Sequence, residues 1–405
     1  RGPHFDGHHF VSQAVECGAA GLLVEEEIDC EISQIVVNDT YQALSQYASW
    51  HRRQFSPKVI AITGSCGKTT TRSFVENIFS GMGKKVLATE GNLNNEIGVP
   101  LMLLRLTAEH EYLILELGAN HAGEIARLAA MVCPDVGIIT NAAAAHLEGF
   151  GSLLGVAQAK GELFEALNSF GVAVINADDE YRDYWKSLVK CSMTTFGCVA
   201  GADIRADLDN QKGGNFMMKG GGVEAIAISL PLLGRHNVYN ALAASAAAVA
   251  LGVHPAAIKQ GIEQTSPQRG RLVEQSALRG AVVIDDSYNA NPGSVKAAID
   301  LLSERCGKQI LVLGDMLELG DSAAELHKAV GVYAAKSGID SLFLYGELSV
   351  HVARGFGAAA CHFSDQASLI RALRNALSDD AVVLIKGSNG MKMNKVVAAM
   401  LPQTQ

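Results

Sequence analysis

Short apolar runs alternate with helical patterns along most of this chain. After Lys58 the apolar runs fall at 59–63, 85–88, 112–117, 136–140 and 172–176. Runs of this length, separated by segments with helical periodicity, are typical of a largely parallel sheet covered by helices on both faces. We therefore predict a central, doubly wound α/β unit.

A smaller unit precedes this sheet and a second sheet follows it. The first residues predict helices at 9–17 and 41–55 and strands at 21–24 and 34–37, before the linker Ser56-Pro57. Residues 190–235 lack helical periodicity and contain glycine clusters at 213–214 and 220–222, which predicts antiparallel strands. A long helix from Val238 and a short one from Pro255 follow. Beyond a linker at 264–271, strands are predicted at 282–285, 310–313, 341–345 and 382–385.

These patterns predict an α/β protein of three domains, in keeping with its 405 residues. The predicted domains are a small N-terminal α/β domain at 1–57, a central domain at 58–266 with a mostly parallel sheet and an antiparallel subsheet, and a Rossmann-like α/β domain at 267–405.

Composition narrows the class of protein. The net charge of −9 argues against a nucleic-acid partner. Eight cysteines without a CxxC pair predict reduced, mostly buried thiols rather than disulfides or zinc ligands. The apolar segment 241–253 is too short to cross a bilayer and predicts a buried helix. We expect a cytoplasmic protein without a membrane partner. Its start at Arg1-Gly2-Pro3 resembles the interior of a domain, with no signal peptide before the fold.

The first candidate site follows the strand at 59–63. There the sequence Thr63-Gly64-Ser65-Cys66-Gly67-Lys68-Thr69-Thr70 leads into an apolar-periodic helix. Glycines let backbone N–H groups approach phosphates, the helix N-terminus favours anions, and a lysine here reaches the terminal phosphates. The Thr69 hydroxyl is placed to hold Mg²⁺. Ile62 stands where the strict pattern has glycine, so we predict a shortened loop that binds a nucleoside triphosphate.

Three further residues could serve the same site. Glu116 ends the strand at 112–117, where phosphate-loop proteins place a metal-holding acid, although a solvated acid at a strand end is the simpler alternative. Lys160 lies in the middle of the apolar stripe of a helix at 152–168, where snorkelling to solvent is the ordinary explanation. His146 lies between them, just beyond the strand at 136–140, where ligands of open sheets bind.

Polar residues also cluster in other loops. Asn92, Asn94 and Asn95 could orient a polar ligand or merely cap the next helix. Asn240, on the first turn of the long helix, could read a base edge, although helix capping explains the neighbouring Asn237 equally well. In the last domain, the segments 284–292, 313–320 and 386–389 end three predicted strands. Because the ends of such strands meet at one crevice, we expect these loops to form a site.

The motifs in this order closely resemble the Mur ligase family, and within it the members that add D-alanyl-D-alanine. The resemblance rests on FDGH at 5–8, TGSCGKTTT at 63–71, GNLNNEIGVP at 91–100, ELGANHAGEI at 116–125, TNAAAAHLEGFGS at 140–152, AKGELF at 159–164, GRHNVYN at 234–240, DDSYNANP at 285–292, GDMLELG at 314–320 and KGS at 386–388.

The resemblance implies an ATP- and Mg²⁺-dependent amide ligase of peptidoglycan precursor synthesis. Such an enzyme joins D-alanyl-D-alanine to UDP-N-acetylmuramoyl-tripeptide through an acyl phosphate and a tetrahedral intermediate. Lys68, Lys160, His146 and Glu116 are implied as catalytic, with a carbamylated Lys160. Thr69, Glu116, His146 and Lys160 are implied as metal ligands. The implied ATP contacts are Gly64, Ser65, Cys66, Gly67, Lys68, Thr69, Thr70, His236, Asn240, Arg271 and Asp286, and the implied substrate contacts are Asn92, Asn94, Asn95, Asn289 and Asn291.

Two departures from the family pattern limit the resemblance. The family's N-terminal, UDP-substrate-binding domain normally begins earlier, so we expect it to be incomplete here and assign no uridine contacts. The segment KGSNGMKMN departs from the usual KGSR, which leaves the roles of Asn389 and Asn394 open. Asp285 and Asp286 are adjacent, so the ribose-binding acid could be either of them. We expect a monomer.

Two alternatives remain at this point. A regulatory phosphate-loop switch is disfavoured because no Asn-Lys-x-Asp element for reading guanine occurs. A sister ligase that adds an amino acid or glutamate shares the phosphate loop and the lysine. Such a ligase is not expected to carry GNLNNEIGVP or YNANP.

Overall fold

The computed structural model describes residues 6–207 and 214–402, without the side chains of 223 and 224. Phe5 of the FDGH motif, the start at Arg1-Gly2-Pro3 and Gly213 lie outside the described residues. Three sheets follow one another along the described chain, with two, nine and six strands.

The first sheet is small and parallel. Strands β1 (Leu22–Val24) and β2 (Gln34–Val36) pair in register from Leu22 with Gln34 to Val24 with Val36. Helix α1 (Val11–Glu16), preceded by a 3-10 turn at Gly7–Phe10, and helix α2 (Thr40–Arg52) complete this part. Asp39 caps α2 by accepting from the Gln42 amide, and Ala48 on this helix joins the core of the next sheet.

The second sheet is long and mostly parallel. Its strands are β3 (Lys58–Thr63), β4 (Val86–Ala88), β5 (Tyr112–Glu116), β6 (Val136–Ile139), β7 (Val172–Asn176), β8 (Ser192–Gly197), β9 (Ile204–Asp207), β10 (Asn215–Gly220) and β11 (Val223–Ser229). They lie in the order β11-β10-β9-β8-β7-β6-β3-β5-β4.

The prediction of antiparallel strands at 190–235 was wrong for the pairing of β8 with its two neighbours. β8 pairs parallel with β7, and β9 pairs parallel with β8, so both continue the main sheet. The antiparallel pairing begins after β9, since β10 pairs antiparallel with both β9 and β11. Helical periodicity is absent here because only residues 198–203 separate β8 from β9, and only Gly221 and Gly222 separate β10 from β11.

Helices cover both faces of this sheet, as predicted for a doubly wound fold. They are α3 (Lys68–Gly81), α4 (Gly98–Leu103), α5 (Glu124–Val132), α6 (Leu147–Phe150), α7 (Leu153–Glu165), α8 (Arg182–Leu188), α9 (Arg235–Ala250) and α10 (Pro255–Glu263). Ile60 and Ile62 of β3 face the core formed with α3, α9 and α10. Val59 and Ala61 face the core formed with α4, α5 and α7. The alternation along β3 therefore fills two cores at once.

The third sheet has six strands in the order β12-β13-β17-β14-β15-β16. Their bounds are β12 (Val273–Ser276), β13 (Val282–Asp286), β14 (Lys308–Gly314), β15 (Ser341–Tyr345), β16 (Ala360–Phe363) and β17 (Ala381–Lys386). The helices are α11 (Pro292–Ser303), α12 (Ala323–Lys336), α13 (Ser349–Phe356), α14 (Gln366–Ala376) and α15 (Asn394–Met400), with 3-10 turns at Leu278–Gly280, Gly320–Ser322 and Asn389–Met391. The edge strands β12 and β16 escaped prediction because each has four residues and neither is fully buried.

The cysteines differ from expectation in their exposure. Each is a free thiol, but four are exposed and four are half-buried, so the prediction of mostly buried thiols was wrong. Helix α9 is buried over most of its length, as predicted from the apolar segment. Within residues 6–207 and 214–402, no helix is long and apolar enough to span a membrane.

Candidate active site

A cavity of about 650 Å³ lies between the carboxyl ends of the second and third sheets. Residues predicted from the sequence that line it are Ser65, Cys66, Gly67, Lys68, Thr69, Thr70, Asn94, Asn95, Glu116, His146, His236, Asn240, Arg271, Asp286, Asn289 and Asn291. Gly64, Asn92 and Lys160 are not among its lining residues. The fold thus gathers most of the predicted site in one place.

The phosphate loop connects β3 to α3 and needs glycine at two positions. Gly64 and Gly67 have φ of 142° and 84°, in the region that favours glycine. A Cβ on Gly64 would overlap the Thr140 hydroxyl, and one on Gly67 would overlap Asn240 Oδ1. Lys68 Nζ donates to the Gly64 carbonyl at 2.5 Å. Burial lowers the pKa of Lys68, and the charge of Glu116 opposes that shift.

Glu116 and Thr69 form the polar centre of this loop. The Thr69 hydroxyl donates to Glu116 Oε2 at 2.9 Å, and Glu116 is 1% exposed. Arg72 Nε lies 3.5 Å from Glu116 Oε1 and compensates the buried carboxylate. A hydroxyl and one carboxylate are a donor set that suits Mg²⁺ bound together with phosphates. This pair therefore fits the predicted metal site.

The three asparagines of the loop at 91–100 differ in their contacts. Asn95 Oδ1 accepts from the Gly98 amide at 2.8 Å, at the start of α4. The Asn94 carbonyl accepts from the Gly118 amide at 2.7 Å, which ties the loop to the end of β5. Asn92 is exposed outside the cavity. Asn95 therefore has a structural contact at the start of α4 and also borders the cavity.

Lys160 is buried, with 2% of its surface exposed, so it does not snorkel to solvent. Its Nζ lies 5.1 Å from the centre of the Phe150 ring, within the range at which an aromatic face attracts a cation. Burial, and next the charge of Lys68, lower the pKa of Lys160 to about 7. Much of this amine is therefore neutral near pH 7.

His146 also contacts Phe150, edge to face, with ring centres 6.5 Å apart. Its Nδ1 lies 2.5 Å from Glu318 Oε2, in the loop after β14 of the third sheet. The contact with His146 lowers the pKa of Glu318. His146 and Lys160 thus share Phe150 as a neighbour. Among the described residues, no cluster of three or more His, Cys, Asp or Glu side chains could hold a metal ion by itself.

Asn240 and His236 border the cavity near the phosphate loop. Asn240 is buried, accepts from the Thr71 hydroxyl at 3.5 Å and donates to Asn237 Oδ1 at 2.9 Å. Asn237 in turn donates to the Leu233 carbonyl. His236 is exposed to the cavity. Asn240 therefore packs against Gly67 of the phosphate loop and also borders the cavity.

The third sheet contributes charged groups to the same cavity. Arg271 Nη2 donates to the Thr69 hydroxyl at 2.9 Å, and its guanidinium stacks 4.2 Å from the centre of the Tyr288 ring. Lys386 Nζ donates to Asp286 Oδ2 at 2.6 Å. Burial raises the pKa of Asp286, which Lys386 opposes. Asp285 instead accepts from the Gly270 and Ser287 amides, so Asp286 is the acid that faces the cavity.

Asn291 links the two halves of the cavity. It caps α11 by accepting from the Ser294 amide at 2.8 Å, and its Nδ2 donates to Cys66 Sγ at 3.0 Å. Asn389 donates to the Tyr288 carbonyl at 3.3 Å, whereas Asn394 begins α15. Asn389 therefore supports the loop that carries Tyr288.

Several lining residues were missed from the sequence. Lys386 was noted only as part of a polar segment at the end of a strand, and no role was predicted for it. Asp178 and Asp179, which follow β7, also line the cavity. Asp179 Oδ2 accepts from the Ala142 amide at 3.0 Å, and Asp178 Oδ2 accepts from the Cys198 amide at 2.5 Å. The available signal was their position after a predicted parallel strand.

Comparison with known families agrees with this geometry. The Mur ligase middle domain matches residues 62–248, and the Mur ligase, glutamate ligase domain matches residues 268–389. The UDP-N-acetylmuramoyl-tripeptide--D-alanyl-D-alanine ligase of Escherichia coli (strain K12) is 40% identical over 99% of this chain and 89% of its own length. This chain belongs to the Mur ligase family. The family predicted from the motifs is confirmed.

Solved structures of Mur ligases also match this one. MurF from Acinetobacter baumannii superimposes with a TM-score of 0.92 at 37% identity, covering 98% of this chain and 88% of that chain. MurF ligase from Thermotoga maritima, in complex with ADP, superimposes with a TM-score of 0.86 at 25% identity, covering 98% of this chain and 92% of that chain. The predicted three-part α/β fold of a Mur ligase is therefore confirmed.

Proposed function

We propose that this chain is an ATP-dependent amide ligase that joins D-alanyl-D-alanine to UDP-N-acetylmuramoyl-tripeptide. The observation that carries the proposal is the cavity itself: the phosphate loop of the second sheet meets Arg271, Asp286 and Lys386 of the third. The curated relative from Escherichia coli, which bears that activity in its name, aligns along 89% of its length. Both halves of the cavity come from one chain, which supports a monomer.

ATP binds with its phosphates on the loop at 64–70 in this proposal. Lys68 now donates to the Gly64 carbonyl and would turn to the β- and γ-phosphates. Arg271 reaches the same loop from the third sheet, as its hydrogen bond to Thr69 indicates. Asn240 and His236 would contact the adenine, and Asp286 the ribose. Ser65, Cys66, Gly67 and Thr70 line the phosphate side, and Gly64 supplies backbone only.

Thr69 and Glu116 would hold Mg²⁺, since they place a hydroxyl and a carboxylate 2.9 Å apart at the loop. When bound there, the ion supplies positive charge that screens the phosphate oxygens. Arg72 Nε lies 3.5 Å from the other oxygen of Glu116 and places a positive charge beside it. This orientation of Glu116 leaves one oxygen for Thr69 and the ion.

Lys160 would carry a carbamate, with His146, as ligands of a second ion. A neutral amine attacks CO₂, forms the N–C bond and releases a proton, which gives an anion in place of a cation. The pKa of about 7 keeps enough neutral amine for this step near pH 7. Burial of Lys160 among apolar side chains is hard to explain for a permanent ammonium group.

The carboxylate of the tripeptide is a poor electrophile, so it must first be activated by phosphorylation. The tripeptide carboxylate oxygen attacks the γ-phosphorus, the bond to the β-phosphate oxygen breaks, and ADP leaves. The amine of D-alanyl-D-alanine then attacks the acyl carbon of the acyl phosphate. The tetrahedral intermediate collapses to the amide as phosphate and a proton depart. Lys68 and Arg271 provide the cations that let two anions approach in the first step.

Asn94, Asn95, Asn289 and Asn291 line the remainder of the cavity and would orient the peptide substrates, whereas Asn92 is exposed outside it. Their amides donate and accept without charge, which suits peptide groups. Use of ATP, and free thiols at every cysteine, support a cytoplasmic location.

The proposal is tested by measuring ADP and amide product together, by a coupled assay and mass spectrometry. We expect turnover only when ATP, UDP-N-acetylmuramoyl-tripeptide and D-alanyl-D-alanine are all present. Turnover with D-glutamate or a free diamino acid, but not with the dipeptide, would instead identify a sister ligase. GTP hydrolysis without any acceptor would identify a phosphate-loop switch.

A further inference from the structure

We propose that Glu318 is a positioning residue that fixes the ring of His146 when the third sheet docks on the second. Glu318 Oε2 lies 2.5 Å from His146 Nδ1, and the two residues come from loops on different sheets. Within residues 6–207 and 214–402, no other side chain makes an ion pair with His146. The inference rests on the proposed function where it concerns turnover.

The backbone of both residues is held in an uncommon conformation. His146 and Glu318 have φ of 54° and 63°, in the left-handed region that residues other than glycine rarely adopt. Such conformations persist where the surrounding contacts define them, and they cluster at functional sites. Here the left-handed turns aim the two side chains at each other.

A second contact anchors the same pair of loops. The Glu318 carbonyl accepts from the Glu148 amide at 3.3 Å, two residues beyond His146. Gly320 lies against Glu148, where an added Cβ would be 3.4 Å from Glu148 Cα. The loop after β14 is therefore seated on the His146 turn by its main chain, and the carboxylate is left to act on the ring.

The carboxylate decides which ring nitrogen carries the proton. His146 Nδ1 is buried 2.5 Å from Glu318 Oε2, and among the described residues it makes no hydrogen bond of ordinary geometry. An ionised carboxylate can only accept, so a carboxylate this close favours a proton on Nδ1, which leaves the lone pair on Nε2 of a ring that borders the cavity. Carboxylates orient histidine ligands in this way, and removing them typically lowers metal affinity or activity tenfold to a hundredfold.

The exposure of the pair argues against a role in stability alone. The Glu318 side chain is 55% exposed and that of His146 is 27% exposed. Pairs this open to solvent contribute little to folding. Since the contact requires both sheets, it would make His146 competent only in the closed arrangement.

Kinetics of three variants test this role. Glu318→Ala should lower kcat roughly tenfold to a hundredfold with little change in KM for ATP. Glu318→Gln keeps an accepting oxygen and should retain most of the activity. The exposed Glu325→Ala on α12 is the matched control and should behave as the wild type. Equal kcat values for wild type and Glu318→Ala would overturn the inference.

The tautomer of His146 gives a second readout that needs no turnover and no metal. Long-range ¹H–¹⁵N correlation spectra of histidine-labelled protein, recorded with and without ADP, distinguish protons on Nδ1 from those on Nε2. The signal of His146, among 12 histidines, is assigned from His146→Gln. We expect an Nδ1–H tautomer in the wild type and its loss in Glu318→Ala.

The same tautomer in wild type and Glu318→Ala, or an Nε2–H tautomer in the wild type, would overturn the inference. A changed tautomer with unchanged kcat would also overturn it, because orientation would then not matter to the reaction. If the wild type does not join the two substrates, the proposed function is contradicted instead. The spectra would still test the positioning of His146.

Discussion

Arg271, in the segment that leads into β12 of the third sheet, donates a hydrogen bond of 2.9 Å to the Thr69 hydroxyl, across 202 residues of sequence. The same hydroxyl donates to Glu116 at 2.9 Å. One oxygen atom therefore joins the end of β5, the phosphate loop and the third sheet. Because the arginine arrives from the third sheet, the positive charge at the phosphates depends on how the sheets dock.

Replacing Arg271 should impair phosphoryl transfer. Arg271→Ala removes a charge-assisted donor, and we expect kcat/KM for ATP to fall about a hundredfold or more. Arg271→Lys keeps the charge but cannot stack on Tyr288 and donate as a fork, so we expect a loss of about tenfold. Steady-state ADP release measures both, with the exposed Arg371→Ala as control. Wild-type rates in Arg271→Lys would show that charge alone suffices.

Lys160→Ala should abolish turnover and leave the fold intact. The substitution removes the only amine on the buried stripe of α7 that could become a carbamate. Circular dichroism checks the fold, and ¹³C spectra of protein in ¹³C-bicarbonate should show a carbamate carbon in the wild type that the variant lacks. Lys336→Ala, at an exposed position on α12, should lose neither signal nor activity. Near-normal turnover in Lys160→Ala would remove the carbamate from the mechanism.

Lys160 should also make stability depend on pH. Its pKa is lowered in the fold to about 7 from an ordinary value of 10.5, so the unfolded chain binds more protons between these values. The free energy of unfolding should therefore rise, through this group, as pH increases from about 7 towards 10.5. Below pH 7 both states are protonated and the penalty stays constant.

Urea unfolding in CO₂-free buffer measures this effect. Lys160→Met keeps the length of the side chain without the amine, and its advantage over the wild type should shrink as pH rises through that window. A difference between the two proteins that is constant from pH 7 to 10 would contradict the buried, titrating amine.

Breaking the Asp286–Lys386 pair should destabilise the third sheet. The side chains are 13% and 4% exposed, and their atoms lie 2.6 Å apart. Lys386→Met leaves a largely buried carboxylate without its partner, at a cost of about 3–5 kcal/mol. Asp286→Asn combined with Lys386→Met should recover part of that loss in denaturant unfolding. If the double variant is as unstable as the sum of the single variants, the two groups do not interact.

Gly67→Ala should damage the phosphate loop beyond its backbone cost. A left-handed alanine costs roughly 1–2 kcal/mol wherever it is placed. At Gly67 the new methyl group would also overlap Asn240 Oδ1, so nucleotide binding should be lost as well. Gly338→Ala is the matched control, since its φ is 79° and no heavy atom lies within 4 Å of the added Cβ. Calorimetric ATP binding that is equal in both variants would refute the close contact.

Much of the architecture could be predicted from local patterns. The alternation of β3, the helix at α9 and the glycines of the phosphate loop are each encoded in a few consecutive residues. The direction of β8 and β9 relative to their neighbours is not encoded in this way, because a strand has the same periodicity whether its neighbour is parallel or antiparallel. The edge strand β16 has only four residues, with none buried, so its apolar pattern was too weak to detect.

The sequence alone determined most of the candidate site residues, because loop glycines, strand-end acids and a lysine on an apolar stripe are unusual in their local surroundings. Only the tertiary structure decided which of them meet. His146 with Glu318, Arg271 with Thr69 and Lys386 with Asp286 are partners set by the docking of two sheets and by strand order. Contacts between residues so far apart along the chain depend on the packing of whole sheets, which no local pattern encodes.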